Sequence, residues 1–192
     1  MKLYDISQEV FSCAVYPGDP PPAKQTLCST SAGDAYNLTA FSMCAHNGTH
    51  VDAPFHFLPE GQTVDRLPLE HFVGMCYVAR HRGDVTADHA RAILQKASPA
   101  PRLLIAGPIT VTAEAARVFA DGGICLLGNE GQTVGPANAP MEVHQILLRR
   151  NIVLLEGIVL THVPEGTYFL SAAPLNLSGA DGAPCRAYLI EM

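Results

Sequence analysis

The 192-residue sequence lacks tryptophan, and only 16% of its residues are charged. It has no cluster of Lys or Arg and a net charge of −6, which argues against nucleic acid and anionic membranes as partners. Its six cysteines are scattered without a C-x-x-C pair, so we expect free thiols. It also lacks an apolar run long enough to span a bilayer and the apolar segment of a signal peptide. We therefore expect a cytoplasmic protein.

The length suits one domain, and we expect residues 1–192 to form it. Apolar residues make up 48% of the chain, which leaves a thinly charged surface. This composition suggests that some apolar surface is buried between subunits. We therefore expect a homodimer or a homotetramer that acts on a small-molecule substrate.

Strands and helices alternate from Val73 onward, the pattern of an α/β domain. The predicted elements are a strand at 73–80, a helix at 87–97 after Thr86, a strand at 103–106, a helix at 113–121 after Thr112, a strand at 124–127, a helix from Pro140 and an apolar run at 152–160. The N-terminal third and the C-terminus add further strand. Residues 17–24 contain four prolines, so this arm is predicted to be extended or turned rather than helical.

The most informative segment covers residues 46–56, which hold three histidines and an aspartate. Imidazole and carboxylate are ligands for Zn²⁺, Mn²⁺ or Fe²⁺. His50 and Asp52 are two positions apart, so in an extended segment they point to the same side. An Asn-Gly turn can swing His46 back toward that side. A single histidine is more often structural, but four such groups in eleven residues favour a metal site.

A second pair of polar residues needs an explanation. Glu156 closes an apolar run, and burying an unpaired carboxylate is costly. His144, twelve positions earlier, lies beside the apolar stripe of the third predicted helix. One hypothesis is that both reach the first cluster as metal ligands. The alternatives are a partly exposed helix histidine and a glutamate paired with Arg149 or Arg186.

Residues 46–56 also carry a resemblance to a known family. Their pattern, H-x-G-T-H-x-D-x-P-x-H, resembles the signature of the cyclase family, which includes bacterial kynurenine formamidases (arylformamidases) and isatin hydrolases. Residues 5–7 and 16–19 resemble the family's N-terminal strand and turn, and residues 182–187 resemble its closing strand entry. The resemblance thus covers essentially the whole chain. It implies a swivelling β/β/α fold with a mixed sheet, flanking helices and the metal motif at one end of the sheet.

The resemblance further implies a site with two metal ions. One ion is expected on His46, His50 and Asp52, and the other on Asp52, His144 and Glu156. Asp52 would then bridge the two ions. Each ion keeps open positions, as a catalytic ion does and a structural ion does not.

Three further residues are interpreted through the resemblance. His56 is left over once the ligands are assigned, and the family's matching histidine has an acid/base role. Tyr16 stands where the family places an aromatic residue against the substrate ring, often tryptophan in kynurenine formamidases. Glu130 lies where family members usually carry Gly-x-Asp followed by Ser, so its role stays open.

The sequence therefore predicts a metal-dependent hydrolase that cleaves an N-formyl aryl amide or a cyclic amide with metal-activated water, as kynurenine formamidases do. Zinc is the expected metal, with manganese as the alternative, and up to two ions per chain. An isatin-hydrolase-like ring opener is the nearest alternative. A non-catalytic protein that binds a metal or a small molecule is a second alternative, although it has no need of a spare proton carrier such as His56. A structural zinc protein would require a closed set of four ligands.

Overall fold

The computed structural model describes residues 1–192, in which thirteen strands and three α-helices alternate with short turns. The strands are β1 (Lys2–Asp5), β2 (Ala23–Cys28), β3 (Leu38–Ser42), β4 (His50–Asp52), β5 (Val73–Arg80), β6 (Gly83–Val85), β7 (Arg102–Ala106), β8 (Ile109–Val111), β9 (Leu126–Asn129), β10 (Val153–Glu156), β11 (Gly166–Ser171), β12 (Gly182–Pro184) and β13 (Tyr188–Glu191). The helices are α1 (Ala87–Ala97), α2 (Ala113–Asp121) and α3 (Met141–Leu148).

Nine of the strands form one mixed sheet in the order β1-β13-β11-β5-β7-β9-β10-β4-β12. The central strands β5, β7, β9 and β10 are parallel. The outer strands on both sides pair antiparallel with their neighbours. One helix lies in each connection between successive parallel strands, because such a connection must cross the sheet. The predicted α/β class with a mixed sheet is confirmed.

The parallel strands are buried on both faces. Leu103 and Ile105 of β7 face a core that includes Phe119 of α2 and residues of the other two helices. Leu104 and Ala106, which alternate with them, face a second core on the opposite side. Burial on both faces explains why these strands read as continuous apolar runs in the sequence.

The second core contains residues from both ends of the sheet. Tyr4, Leu170 and Leu189 come from the end that holds β1, β11 and β13. Val51 of β4 and Ala183 of β12 come from the other end and belong to the same core. The sheet therefore curls around this core, and β4 is fixed between it and the candidate site.

The predicted helices agree with the structure at their starts and ends. α1 and α2 have the predicted bounds, and each is capped by the expected threonine. The hydroxyl of Thr86 accepts a hydrogen bond from the backbone N–H of His89, and that of Thr112 from Ala115. α3 begins one residue after Pro140. None of the three helices is long and apolar enough to cross a membrane.

The predicted strands agree with the structure except at 124–127. β5 has the predicted bounds, and β7 adds only Arg102 to its predicted range. β9 begins at Leu126, because the backbone N–H of Cys125 bonds to the Pro101 carbonyl outside the ladder. β10 ends at Glu156, since Gly157 turns the chain with a φ of 66°. The proline-rich arm is not helical, and β2 begins within it.

The carboxylate of Glu130 connects two loops. One oxygen accepts from the backbone N–H of Gly107, at 2.6 Å, and the other from Leu160, at 2.7 Å. These residues follow β7 and β10, the two strands that flank β9 through the sheet order. Glu130 therefore satisfies two backbone donors and holds the loops together, which answers the question that the sequence left open.

The six cysteines are free thiols, as predicted. Cys76 lies in the second core, where burial raises the pKa of its thiol to about 12. A thiol with so high a pKa is unreactive, so its role is packing.

Candidate metal centre

β4 carries two of the predicted ligands and lies between β10 and β12, near one end of the sheet. The strand register places His50 opposite Glu156 of β10 and Asp52 opposite Gly182 of β12. His50 and Asp52 share one side of the strand, since the Nε2 of His50 is 3.4 Å from the Oδ1 of Asp52. Sheet pairing thus brings Glu156 to the motif although the two segments are far apart in sequence.

The turn after His46 is held against the loop after β10. A side chain at Gly157 would meet the carbonyl oxygen of Gly48 at 2.2 Å, so the close approach of the two loops requires glycine there. The hydroxyl of Thr49 donates to the Gly157 carbonyl at 2.7 Å and accepts from the backbone N–H of Gln8 at 2.9 Å. These contacts explain Thr49 of the motif, and the φ of 63° at Gly48 explains the glycine before it.

Asp52 is the centre of the cluster, with a side chain that is 1% exposed. The Nδ1 of His46 lies 2.9 Å from one of its oxygens, and the Nε2 of His144 lies 3.5 Å from the other. Glu156 completes the group, with its carboxylate 3.3 Å from His144 and 3.8 Å from His50. The structure therefore brings all five predicted ligands together.

Two of these imidazoles are oriented by backbone carbonyls. The Nδ1 of His50 donates to the Gly48 carbonyl at 3.0 Å, and the Nδ1 of His144 donates to the Pro140 carbonyl at 2.9 Å. Each bond engages the Nδ1 proton and directs Nε2 toward the carboxylates. Metal-ligating histidines require this arrangement, in which the second nitrogen is held by an oxygen acceptor.

A further carboxylate, Asp181, is absent from the predicted site. Its Oδ2 lies 2.8 Å from the Nε2 of His46 and 3.0 Å from the Nδ1 of His56. It directly precedes Gly182, the start of a segment through which the chain resembles the cyclase family. That position was the only available signal, because the contact with His46 spans 135 positions of the sequence.

The charges in the cluster stabilise one another. Burial alone lowers the pKa of His46, but its contacts with Asp52 and Asp181 outweigh burial and raise the pKa to about 10. Burial likewise opposes protonation of His144, yet Asp52 and Glu156 raise its pKa to about 10. Burial alone would raise the pKa of Asp52. The three imidazoles outweigh burial and lower this pKa to well below its usual range. A metal ion that binds here must therefore displace protons.

The chemistry of the cluster fits a divalent cation. The Oδ2 of Asp52 is buried and has no hydrogen-bond donor. A buried charged oxygen without a partner is strongly unfavourable, and a cation would satisfy it. The remaining donors are imidazoles and a carboxylate, the ligand types that zinc and manganese accept.

The donor atoms form two groups that share Asp52. One contains His46, Asp52 and His56, and the other contains His50, Asp52 and Glu156, with the donor atoms of each group within 4.8 Å of one another. A shared carboxylate agrees with the predicted bridge. The grouping differs from the predicted division, because His46 lies with His56 and His50 lies with Glu156. His144 is in neither group, although its Nε2 contacts both Asp52 and Glu156.

Both alternatives for the second half of the site are wrong. His144 is 3% exposed, so it is not a partly exposed helix residue. Glu156 is not paired with either arginine, since Arg186 pairs with Asp5 and Arg149 contacts a glutamine one helical turn earlier.

His56 lies at the edge of the cluster, and Tyr16 contacts the loop that leads to α3. The His56 side chain is 27% exposed, the most of the three histidines in the motif, and its ring is 4.0 Å from that of His46. The hydroxyl of Tyr16 donates to the Ala137 carbonyl at 2.9 Å, in the loop that leads to α3. Tyr16 is thus joined to the element that carries His144.

Four further histidines, none of them a predicted ligand, also belong to neither donor group: His71, His81, His89 and His162. The rings of His81 and His89 are 4.4 Å apart, and both contact the carbonyl of Asp84. His162 packs beside Tyr4.

Comparison with known proteins supports the resemblance. The profile of the Cyclase family, described as "Putative cyclase", matches residues 4–135. The chain belongs to the cyclase family. It is 35% identical to the kynurenine formamidase of Paracidovorax citrulli (strain AAC00-1), over 97% of this chain and 95% of the relative. It is 36% identical to the kynurenine formamidase of Salinibacter ruber (strain DSM 13855 / M31), over 98% of this chain and 97% of the relative.

Solved structures of the cyclase family share the fold. A protein described as a potential metal-dependent hydrolase with cyclase activity is 29% identical and superposes with a TM-score of 0.83, over 98% of this chain and 96% of that one. Isatin hydrolase A from Labrenzia aggregata superposes with a TM-score of 0.85 at 20% identity, over 100% of this chain and 94% of that one. The predicted cyclase-like fold is confirmed.

The shared position of Asp52 generates a prediction about metal content. Asp52→Ala should lose all bound divalent metal, because Asp52 belongs to both donor groups. Glu156→Ala should lose mainly one ion, because Glu156 belongs to one group only. Metal analysis of the purified proteins measures both, with the exposed Glu142→Ala as the control that retains the wild-type content. Full occupancy in Asp52→Ala would contradict the bridging role.

Proposed function

We propose that this protein is a metal-dependent amidohydrolase of the kynurenine formamidase type, which cleaves a C–N bond other than a peptide bond. The observation that carries the proposal is the convergence of four imidazoles and the Glu156 carboxylate on the buried Asp52. A binding protein or a structural metal protein would not need donors beyond a closed set. The match to kynurenine formamidases over nearly the whole length of both chains supports the same activity.

We propose zinc as the physiological metal, with manganese as the alternative, and two ions per chain. The donor set contains no thiolate, and both metals accept imidazole and carboxylate. The ligands we assign are His46, His50, Asp52, His144 and Glu156. When bound, divalent ions supply the positive charge that polarises a carbonyl and favours ionisation of the attacking water.

His56 is the residue we assign to proton transfer. One of its nitrogens is held by Asp181, and it is more exposed than the His46 and His50 side chains, so it can meet a substrate. An imidazole nitrogen can accept a proton and release it again, which suits both directions of transfer. The attacking water adds its oxygen to the carbonyl carbon and gives a proton to His56. His56 then protonates the departing nitrogen as the C–N bond breaks.

The substrate we propose is an N-formyl aryl amide, whose products are formate and an aryl amine. Tyr16 is the residue we assign to contact with the aromatic ring, since its hydroxyl donates to the Ala137 carbonyl in the loop ahead of α3, the helix that carries His144. A tyrosine offers an apolar face with a polar tip, which suits an aryl group carrying polar substituents.

Substrate profiling tests this function. The metal-loaded protein should hydrolyse N-formylkynurenine or simpler formanilides faster than it opens isatin. Asp52→Ala is the control, because it should lose the metal and the activity together. Faster turnover of isatin would assign the ring-opening activity instead. Absence of turnover on all three substrates, with metal bound, would indicate a binding protein.

His56→Ala should separate chemistry from metal binding. We expect the metal content to stay at the wild-type level and kcat to fall by about 10²–10⁴, the range for a lost general acid/base group. KM should change much less, because the imidazole acts mainly in the transition state. The exposed His162→Ala is the matched control and should keep full activity. Loss of an ion from His56→Ala would make His56 a ligand.

We also propose that residues 1–192 act as one cytoplasmic domain and that the protein is a homodimer or homotetramer. The ribbon of β2 and β3 is separate from the main sheet, and an isolated two-stranded ribbon is marginally stable in water. Its apolar side chains, with those of neighbouring segments, are 38–58% exposed: Phe11, Leu27, Leu38, Phe41, Leu175 and Leu177. A second copy that covers this surface would stabilise the ribbon.

Light scattering tests the oligomer. The wild-type mass should correspond to two or four chains. Phe41→Asp should shift the mass toward one chain, because Phe41 is 58% exposed on the ribbon and a charge there opposes burial. Leu69→Asp, at an equally exposed leucine outside the ribbon, is the control. A wild-type monomer with full activity would contradict the proposal.

A further inference from the structure

The three imidazoles nearest Asp52 share one arrangement. Each turns one nitrogen toward the carboxylates and gives the other to an oxygen acceptor. For His50 and His144 the acceptor is a backbone carbonyl. For His46 it is the side chain of Asp181, at 2.8 Å from Nε2. A carboxylate forms a stronger hydrogen bond to an imidazole than a neutral carbonyl does, so His46 is oriented by charge as well as by geometry.

The same oxygen of Asp181 also accepts from His56. The Nδ1 of His56 lies 3.0 Å from Oδ2, the atom that contacts His46. The rings of His46 and His56 are consequently close, with centroids 4.0 Å apart and planes inclined by 32°. A single acceptor therefore sets the orientation of a proposed ligand and of the proposed proton carrier.

The backbone holds Asp181 in place from both sides. Its carbonyl accepts from the N–H of Ala53 at 2.9 Å, and Gly182 pairs with Asp52 in the β12–β4 ladder. A side chain at position 182 would meet the His46 ring at 2.7 Å, so glycine there leaves room for the imidazole beside Asp181. Asp181 thus directly precedes a paired strand beside the motif, and its backbone is fixed by these contacts.

We propose that Asp181 is a positioning residue that couples His46 to His56. Through Oδ2 it keeps the Nδ1 of His46 directed at Asp52 and leaves the Nε2 of His56 as the nitrogen that exchanges a proton with water and substrate. This inference rests on the proposed function of His56. It also predicts weaker metal binding when Asp181 is replaced, independently of His56. A ligand that loses its carboxylate partner binds metal about 10–100-fold more weakly.

The experiment uses Asp181→Asn, Asp181→Ala, His56→Ala and the Asp181→Asn/His56→Ala double variant of the full-length protein. Asp65→Asn is the matched control. Asp65 accepts a hydrogen bond at 3.0 Å from the backbone N–H of Gly179, which lies two residues before Asp181. Asp65 contacts neither His46 nor His56. The readouts are zinc affinity by chelator competition, and kcat and KM on a formanilide at saturating zinc.

We expect Asp181→Asn to retain the wild-type number of ions at saturation and to bind zinc about 10–100-fold more weakly. Its kcat should fall by about 10–100-fold with little change in KM, because the group acts through His56. In the His56→Ala background the same substitution should lower kcat by no more than about 2-fold, since coupled residues are not additive. Asp181→Ala should resemble Asp181→Asn or exceed it, and Asp65→Asn should resemble wild type.

Three results would overturn the inference. Wild-type zinc affinity and kcat in Asp181→Asn would show that the carboxylate is dispensable. An undiminished loss of kcat in the His56→Ala background would show that Asp181 does not act through His56. Loss of one ion at saturating zinc would make Asp181 a direct ligand. If the wild-type protein hydrolyses no amide, the proposed function fails, and the zinc-affinity comparison of Asp181→Asn with Asp65→Asn still decides whether Asp181 positions His46.

Discussion

The buried carboxylate of Asp52 is the interaction on which the rest of the site depends. Removing a carboxylate from water is strongly unfavourable unless positive charge and hydrogen bonds replace the solvent. Three imidazoles surround it, yet its Oδ2 still has no donor. Any rearrangement that separated these groups would leave a buried charge uncompensated. The segments that carry them must therefore be fixed relative to one another, and the sheet does this through the pairing of β4 with β10 and β12.

The sheet places the packed cores and the candidate metal centre on different side chains of the same strands. The helices cover one face of the parallel strands, and the curled ends of the sheet enclose the second core. β4 belongs to that second core through Val51, while its neighbours His50 and Asp52 lie in the site. The alternation of a strand thus anchors one side chain in the core and presents the next to the metal position. Ligands on a strand fixed in this way keep the precise spacing that coordination requires.

Local features of the fold were predictable from the sequence, whereas long-range pairings were not. Capping threonines and helix formers define α1 and α2 within their own segments, so their bounds were predicted correctly. The start of β9 depends on a hydrogen bond to Pro101, which no local pattern reports. The role of Glu130 likewise depends on two loops that meet only in the folded chain.

The same distinction applies to the site. The motif at residues 46–56 is local, and its spacing placed His50 and Asp52 on one side correctly. Glu156 was found because a carboxylate in an apolar run needs a partner, and His144 and Glu156 were assigned as ligands through the resemblance to the cyclase family. Asp181 gave no such signal, since its side chain is 41% exposed and it lies between Gly179 and Gly182 in a polar segment. Only the β12–β4 pairing shows that it meets His46 and His56.

Protons and metal ions are alternatives at this site, because both neutralise the same carboxylates. The pKa values of His46 and His144 are raised from 6.5 to about 10, so protonation of these imidazoles stabilises the folded chain when no ion is bound. That contribution is complete below pH 6.5 and is lost as the pH rises through about 10. A bound ion replaces these protons and holds the carboxylates in their place. The acidic residues that would bind the metal therefore also stabilise the metal-free site by pairing with the protonated imidazoles, and Asp181 contributes to both through His46.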